Sequence, residues 1–328
     1  MKKIIKVLSI ITAICCVAAM FAGCGKKQDE NKELKIGIIQ YMSHPSLDNC
    51  YNGVVKALDE SGINYKADRQ IGSANSAESD CANFAKTMVA ANYDMIIAIA
   101  TPAAKAAFNA TDDTNIPVIF CAVSDPAAAG LVESNENPGY LCTGTSDVLD
   151  LEAQVTLIQT MQPSVKKIGI LYTSSEDNSV TNLANFKKVC DKRNIEVVAT
   201  AVQNAGDIPT AADDLASKVD CINNFTDNNV VNNLSVVLSA ADKYGIPVYG
   251  SEETQVEKGC LASVSIDYVA LGKVTGEMAV SVLGGADAKT MAVKTISDAT
   301  PIVNTDVLSK LKMEMPAAYE SAATVTTK

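Results

Sequence analysis

Met95-Ile96-Ile97-Ala98-Ile99-Ala100-Thr101-Pro102-Ala103-Ala104 decides the fold of this chain. Its first six residues are apolar without alternation, the pattern of a strand covered on both faces of a parallel sheet. Thr101 then offers a helix cap and Pro102 suits the first helical turn, so the strand runs directly into a helix reaching about Thr111. The same unit recurs on either side. Strands are predicted at 34–39, 64–69 and 116–121, with helices at 46–61 and 77–91 between them.

After the turn at Pro138-Gly139 the rhythm restarts with strand 141–145 and a polar crossing at Ser146-Asp147. Helices are predicted at 149–161, 178–193, 209–218 and 228–243, and a short one near 252–258. Strands at 167–172, 195–201, 219–224, 246–249 and 260–266 alternate with them. Helix 271–283 ends at Gly284-Gly285, then strand 295–303 and helix 305–311 follow. The expected class is α/β, with two doubly wound parallel-sheet lobes. Lobe 1 is predicted over 35–146 plus 268–293, and lobe 2 over 147–267 plus 294–315. If helix 271–283 packs on lobe 1, the chain crosses between lobes three times, which makes a hinge rather than a loose linker.

The amino terminus reads as an export signal. Lys2, Lys3 and Lys6 precede the apolar run 7–22, which at about sixteen residues is short for a membrane span of roughly twenty. Phe21-Ala22-Gly23-Cys24 resembles a bacterial lipobox, in which the cysteine becomes the lipidated first residue; an ordinary signal peptide or a signal anchor is the alternative. Residues 1–23 are therefore expected to be removed, and the polar stretch 24–34 to act as a tether. Loss of the three lysines moves the formal charge from −11 to −14. So acidic a body repels phosphate backbones and anionic lipid, which argues against a nucleic-acid partner and leaves membrane attachment to the lipid.

No chemistry-bearing motif is present. His44 is the chain's one histidine, and neither a G-x-S-x-G elbow, a phosphate-binding loop nor a dinucleotide fingerprint occurs. Cys50, Cys81, Cys121, Cys142, Cys190, Cys221 and Cys260 are scattered without a CxxC pair, so they are expected to be buried and reduced. No cofactor, metal or catalytic residue is expected, and the chain is not expected to be an enzyme.

Doubly wound sheets bind ligands beyond the carboxyl ends of their strands. The first strand ends in Gln40-Tyr41-Met42-Ser43-His44-Pro45-Ser46, offering Gln40, Ser43, His44 and Ser46 at a helix start that can hold a carboxylate. Thr101 occupies the same place after the third strand, where it could equally serve only its own helix. Ser124 and Asp125 follow the fourth strand, with Asp125 open to an ordinary Asp-Pro turn. In lobe 2 the candidates are Tyr172, Ser174, Asn178, Ser179, Asp227, Glu252 and Asp267. Several acidic positions around one groove favour a cation or zwitterion, with Asp125, Asp227 or Asp267 taking an ammonium. Tyr41, Met42 or Tyr268 could cover an apolar side chain.

Six stretches carry a resemblance. Ser43-His44-Pro45-Ser46-Leu47-Asp48, Ile99-Ala100-Thr101-Pro102-Ala103-Ala104, Val123-Ser124-Asp125-Pro126, Ser174-Ser175-Glu176-Asp177-Asn178-Ser179, Thr226-Asp227-Asn228 and Leu271-Gly272-Lys273-Val274-Thr275-Gly276 recur in order over about residues 35–312. Together they resemble the ABC-transporter substrate-binding family that includes tryptophan- and tyrosine-binding lipoproteins. The resemblance implies a type I periplasmic-binding-protein fold with three hinge crossings, no enzymatic activity, and delivery of cargo to an ABC permease and its ATPase. It implies a monomeric, exported, lipid-anchored protein that closes on an amino-acid-like ligand, aromatic or apolar. Carried over, the site draws on Ser46, Thr101, Ser124 and Asp125 against Asn178, Ser179, Asp227, Glu252 and Asp267. A sensory lipoprotein reporting to a membrane receptor is the alternative. The acidic run Gly250-Ser251-Glu252-Glu253 departs from the family pattern and bears on which ligand is chosen.

Overall fold

The computed structural model describes residues 32–296 and 299–328. The expected signal peptide, Cys24 and most of the tether lie outside these residues. The chain first lays down β1 (Leu34–Gln40), α1 (Pro45–Ser61), β2 (Tyr65–Ile71), α2 (Ala77–Ala90), β3 (Met95–Ile99), α3 (Thr101–Thr111), β4 (Val118–Cys121) and β5 (Cys142–Ser146). A second unit follows: α4 (Leu151–Met161), β6 (Lys167–Thr173), α5 (Asp177–Lys192), β7 (Glu196–Val202), α6 (Ile208–Ala216), β8 (Cys221–Asn223), α7 (Asn228–Asn232), α8 (Leu234–Tyr244), β9 (Val248–Tyr249), α9 (Glu253–Glu257) and β10 (Ala262–Ser265). Helix α10 (Tyr268–Leu283) and β11 (Lys294–Thr295) come back to the first sheet. The chain ends through β12 (Thr300–Asn304), α11 (Thr305–Lys310) and β13 (Ala323–Val325) on the second unit.

Lobe 1 is built on a parallel six-stranded sheet in the order β11-β5-β4-β3-β1-β2. All five residues of β3 are fully buried, which is why that strand reads as unbroken apolar sequence. Leu47, Cys50, Val54, Ala57 and Leu58 form the buried stripe of α1. Helix α10 lies directly against it. A β-carbon added at Gly53 would sit 2.1 Å from the Val269 carbonyl oxygen, and one at Gly272 would sit 2.1 Å from that of Cys50. Those two glycines let the backbones touch, and so bind α10 to lobe 1.

Lobe 2 carries a parallel sheet ordered β7-β6-β8-β9, with β10-β12-β13 beside it. Backbone hydrogen bonds from Gly250 to Ala262 (2.9 Å) and from Leu261 to Val248 (2.6 Å) join the two groups of strands. The chain passes between the lobes after β5, after β10 and after β11.

Several expectations need correcting. Lobe 2 is not wholly parallel, since β10 pairs antiparallel with β12. The predicted helix 228–243 is broken at Asn233 into α7 and α8. The predicted strand 295–303 is two short strands, one in each lobe's sheet. Residues 323–325 add a further strand beyond the expected end of lobe 2, because β12 leaves an edge open for parallel pairing. The seven cysteines of the described residues are free and buried.

Candidate functional site

The tips of β1, β3 and β4 face those of β6 and β8 across a small cavity of about 20 Å³. Lobe 1 contributes His44, Ser46, Leu47, Ala100, Thr101, Ala122 and Ser124 to its wall. Lobe 2 contributes Asn178, Thr226, Asn228, Val231 and Gln255, and the chain crossings add Asp147 and Tyr268.

The lobe 1 wall is made of helix starts. His44 precedes α1 in extended backbone and Ala100 precedes α3, and neither helix has a side chain capping its first turn. Uncapped first-turn N–H groups, with the positive end of the helix dipole behind them, suit an anion. Ser46 and Thr101 place hydroxyls beside these N–H groups.

The lobe 2 wall is a buried amide network organised by two carboxylates. Asp227 accepts from Thr173 N (2.5 Å), Thr173 Oγ1 (2.8 Å), Ser179 Oγ (2.7 Å) and Val230 N (2.9 Å). Glu176 accepts from Asn228 N (3.0 Å), Asn228 Nδ2 (2.6 Å), Asn229 N (3.2 Å) and Asn178 Nδ2 (3.3 Å). Burial, then the nearby Asp227 carboxylate, push the Glu176 carboxyl up to about 8, against the pull of its N–H donors.

This network fixes which atoms face the cavity. Asn178 spends Nδ2 on Glu176 and on the Thr226 carbonyl (3.1 Å), so its Oδ1 remains an acceptor. Asn228 spends Nδ2 on Glu176, so its Oδ1 takes the hydrogen bond from His44 Nε2 at 3.1 Å. The proton of His44 then sits on Nε2 and Nδ1 is the acceptor. Burial lowers the His44 pKa to about 4, leaving the imidazole neutral near pH 7. His44 Nδ1, Asn178 Oδ1 and Thr226 Oγ1 are all buried atoms without a hydrogen-bond partner in the protein. A leftover acceptor of this kind calls for a donor from elsewhere.

At the hinge end, Asp147 accepts from Ser124 Oγ (3.0 Å) and Tyr268 Oη (2.8 Å), and burial raises its pKa. The lobes are also tied to each other. The His44–Asn228 bond spans the cleft, as do Ser46 Oγ···Thr254 Oγ1 (3.5 Å) and the ion pair of Lys105 with Asp177.

Six of the candidates read from the sequence line the cavity: His44, Ser46, Thr101, Ser124 and Asn178, and Tyr268, expected to cover an apolar side chain. The others are placed elsewhere. Gln40 is buried beneath the loop, bonded to Met42 O, Asp48 and Arg69, while Ser43 is exposed and donates to Asp48. Asp125 caps the turn through Ala128 N, and exposed Asp267 caps α10 through Val269 N and Ala270 N. Asp227 and Ser179 are spent on each other within the network, and Glu252 caps α9. Tyr172 packs on the lobe 2 core, Ser174 is exposed, and Met42 is in the lobe 1 core. None of the three aspartates expected to take an ammonium therefore reaches the cavity. Their nearness to strand ends reflects capping, the common use of Asp at helix starts and turns. The sequence reading missed Thr226, Asn228 and Gln255 as wall residues, and Asp147 as the carboxylate that does line the cavity.

A family model described as ABC transporter substrate binding protein matches residues 35–326. A tyrosine-binding protein of Clostridioides difficile is 37% identical, covering 95% of this chain and 94% of its own. The ABC domain from Streptococcus pneumonia in complex with L-Trp is 36% identical, covers 90% of this chain and 100% of its own, and superposes with a TM-score of 0.86. A ligand-free, open substrate-binding protein from Clostridium difficile, at 38% identity and the same coverage, reaches only 0.68. The hydrogen bonds across the cleft hold the two lobes of this chain against each other. The fold is that of the type I periplasmic binding proteins, and the chain belongs to the ABC transporter substrate-binding protein family, whose members bind solutes and are not enzymes.

Proposed function

We propose that this chain captures a free aromatic amino acid, tyrosine or tryptophan, between its lobes and delivers it to the permease of an ABC importer. The observation that carries this reading is the opposite polarity of the two cavity walls. Lobe 1 presents uncapped helix N–H groups with Ser46 and Thr101, which suit a carboxylate. His44 Nδ1 at the edge of that wall, with Asn178 Oδ1 and Thr226 Oγ1 opposite, makes three leftover acceptors for the three N–H bonds of an ammonium. Leu47, Ala100, Ala122, Val231 and the Tyr268 ring give the remaining wall an apolar character that suits a ring. The identities of the relatives that carry tyrosine in their name or tryptophan in their structure support the aromatic choice.

Calorimetry of the protein, freed of co-purified ligand by unfolding and refolding, tests the reading against the common amino acids. Tyrosine or tryptophan binding at least tenfold tighter than leucine supports it; saturable binding of a sugar with no response to any aromatic amino acid overturns it. In the cell the protein is held to the outer membrane face by lipid on Cys24 and works with the permease and its ATPase as a monomer. Cys24→Ser is expected to release it into the medium, and retention of that variant in the membrane fraction would remove the anchor from the proposal.

A further inference from the structure

Five non-glycine residues have positive φ among the described residues: Asn92, Ala100, Ala122, Asn194 and Lys312. Three of them have an ordinary explanation. Asn92, Asn194 and Lys312 each lie one residue past the cap that ends α2, α5 or α11, the position where helices commonly terminate in a left-handed residue. Ala100 (φ 81) and Ala122 (φ 57) do not end helices. They occupy equivalent places, immediately after the last residues of β3 and β4, and a backbone bond from Ala100 N to Cys121 O (2.9 Å) holds the two tips together. Both line the cavity.

Glycine adopts such backbone without steric conflict, so an alanine here retains a methyl group at the expense of strain. Backbone strain that persists where a simpler residue would remove it points to a use for the side chain. We infer that Ala100 and Ala122 are specificity-determining residues, whose methyl groups form a paired floor on which the flat face of the ligand's aromatic ring lies. This rests on the amino-acid reading above and deepens it. The geometry accounts for the choice of alanine. A residue longer than alanine would intrude on the cavity, and glycine would lower its floor. Strand spacing then matters: adjacent parallel strands lie about 4.8 Å apart, so methyls on neighbouring tips span the width of one ring.

The test uses the mature protein with Ala100→Gly, Ala122→Gly and the double variant, each measured by calorimetry or tracer competition with tyrosine, tryptophan, leucine and isoleucine. Each single variant is expected to lose about fivefold in aromatic affinity, as removal of one buried carbon predicts, while leucine and isoleucine lose less than twofold. The ligand-free melting temperature is expected to hold or rise, since strain is released. Aromatic affinity unchanged within twofold overturns the inference. So does an equal loss for all four ligands, because that is what loosening the start of α3 alone would give. Failure of the amino-acid reading is separate and is seen first, as absence of aromatic binding by the unsubstituted protein.

Discussion

The two walls of the cavity are built by opposite means. Lobe 1 uses backbone: two helix starts left without side-chain caps, on strands whose tips are otherwise methyl-bearing and apolar. Lobe 2 uses side chains, with Glu176 and Asp227 buried behind a layer of asparagines whose amide nitrogens are consumed inward. The first wall is rich in donors and the second in acceptors, to which His44 Nδ1 of the first wall adds one. A zwitterion is the simplest ligand that needs both, and only the closed arrangement offers both at once. Closure then follows from differential contact, since a ligand favours whichever state it binds better.

The largest expected effect comes from removing the charge that the lobe 2 wall is proposed to read. The hydroxy-acid analogues of tyrosine and tryptophan keep the carboxylate and ring but replace the ammonium with a hydroxyl. Hydrogen bonds from a charged donor contribute roughly 1.5–3 kcal/mol each, and a hydroxyl can supply only one of three, so a loss of about 3–4 kcal/mol, several hundredfold in Kd, is expected by calorimetry. The same analogues should leave the lobe 1 wall satisfied. A loss under tenfold would mean that the acceptors of lobe 2 are met by something other than the ammonium.

Acid is expected to produce the next largest effect, through His44. Its pKa is lowered by burial to about 4 from an ordinary 6.5, so the closed protein holds the imidazole neutral where the freed side chain would be protonated. The contribution is complete above about 6.5 and is lost as pH falls toward 4. Between pH 7 and 5 closure should weaken by about 2 kcal/mol, twenty- to thirtyfold in ligand affinity. His44→Gln keeps a donor for Asn228 Oδ1 and cannot titrate. The difference in pH profile between parent and variant therefore isolates His44 from Glu176, whose raised pKa is common to both. Parallel profiles would show that His44 leaves its site unprotonated on opening.

How much of this was legible in sequence differs between the walls in the same way. His44, Ser46 and Thr101 could be read because a helix start after an apolar strand has a spacing signature, and Pro45 and Pro102 mark it. Lobe 2 hides its function in the direction of amide groups. Whether Asn178 or Asn228 turns oxygen or nitrogen to the cavity depends on Glu176, and Glu176 reads in sequence as one more polar loop residue. The acidic candidates failed for a related reason. Asp125 and Asp267 stand where a groove carboxylate would stand, and also where a cap would, and the local backbone takes them as caps. Asp147 and Tyr268 meet only because two chain crossings 121 residues apart lie side by side, which no local pattern announces. The architecture itself was readable from β3 outward, except where strands of two or three residues left too little pattern to separate β11 from β12 or to place β13.

The smallest effect concerns the outer edge of the cleft, where α3 of lobe 1 and α5 of lobe 2 meet through Lys105 and Asp177. Both side chains are substantially exposed, at 42% and 44%, so water and salt screen the pair. Exposed ion pairs contribute about 0–1 kcal/mol, and Lys105→Ala is expected to weaken ligand binding by no more than about fivefold at low salt. The pair forms only when the lobes meet, so its loss should appear in the dissociation rate of the bound amino acid, with association nearly unchanged. The difference should fade as salt rises past 0.5 M. Stopped-flow measurements across that range check it. A salt-independent loss would place the contribution of Lys105 in the packing of its stem on lobe 2, and a change confined to association would show that the residue acts before the lobes close.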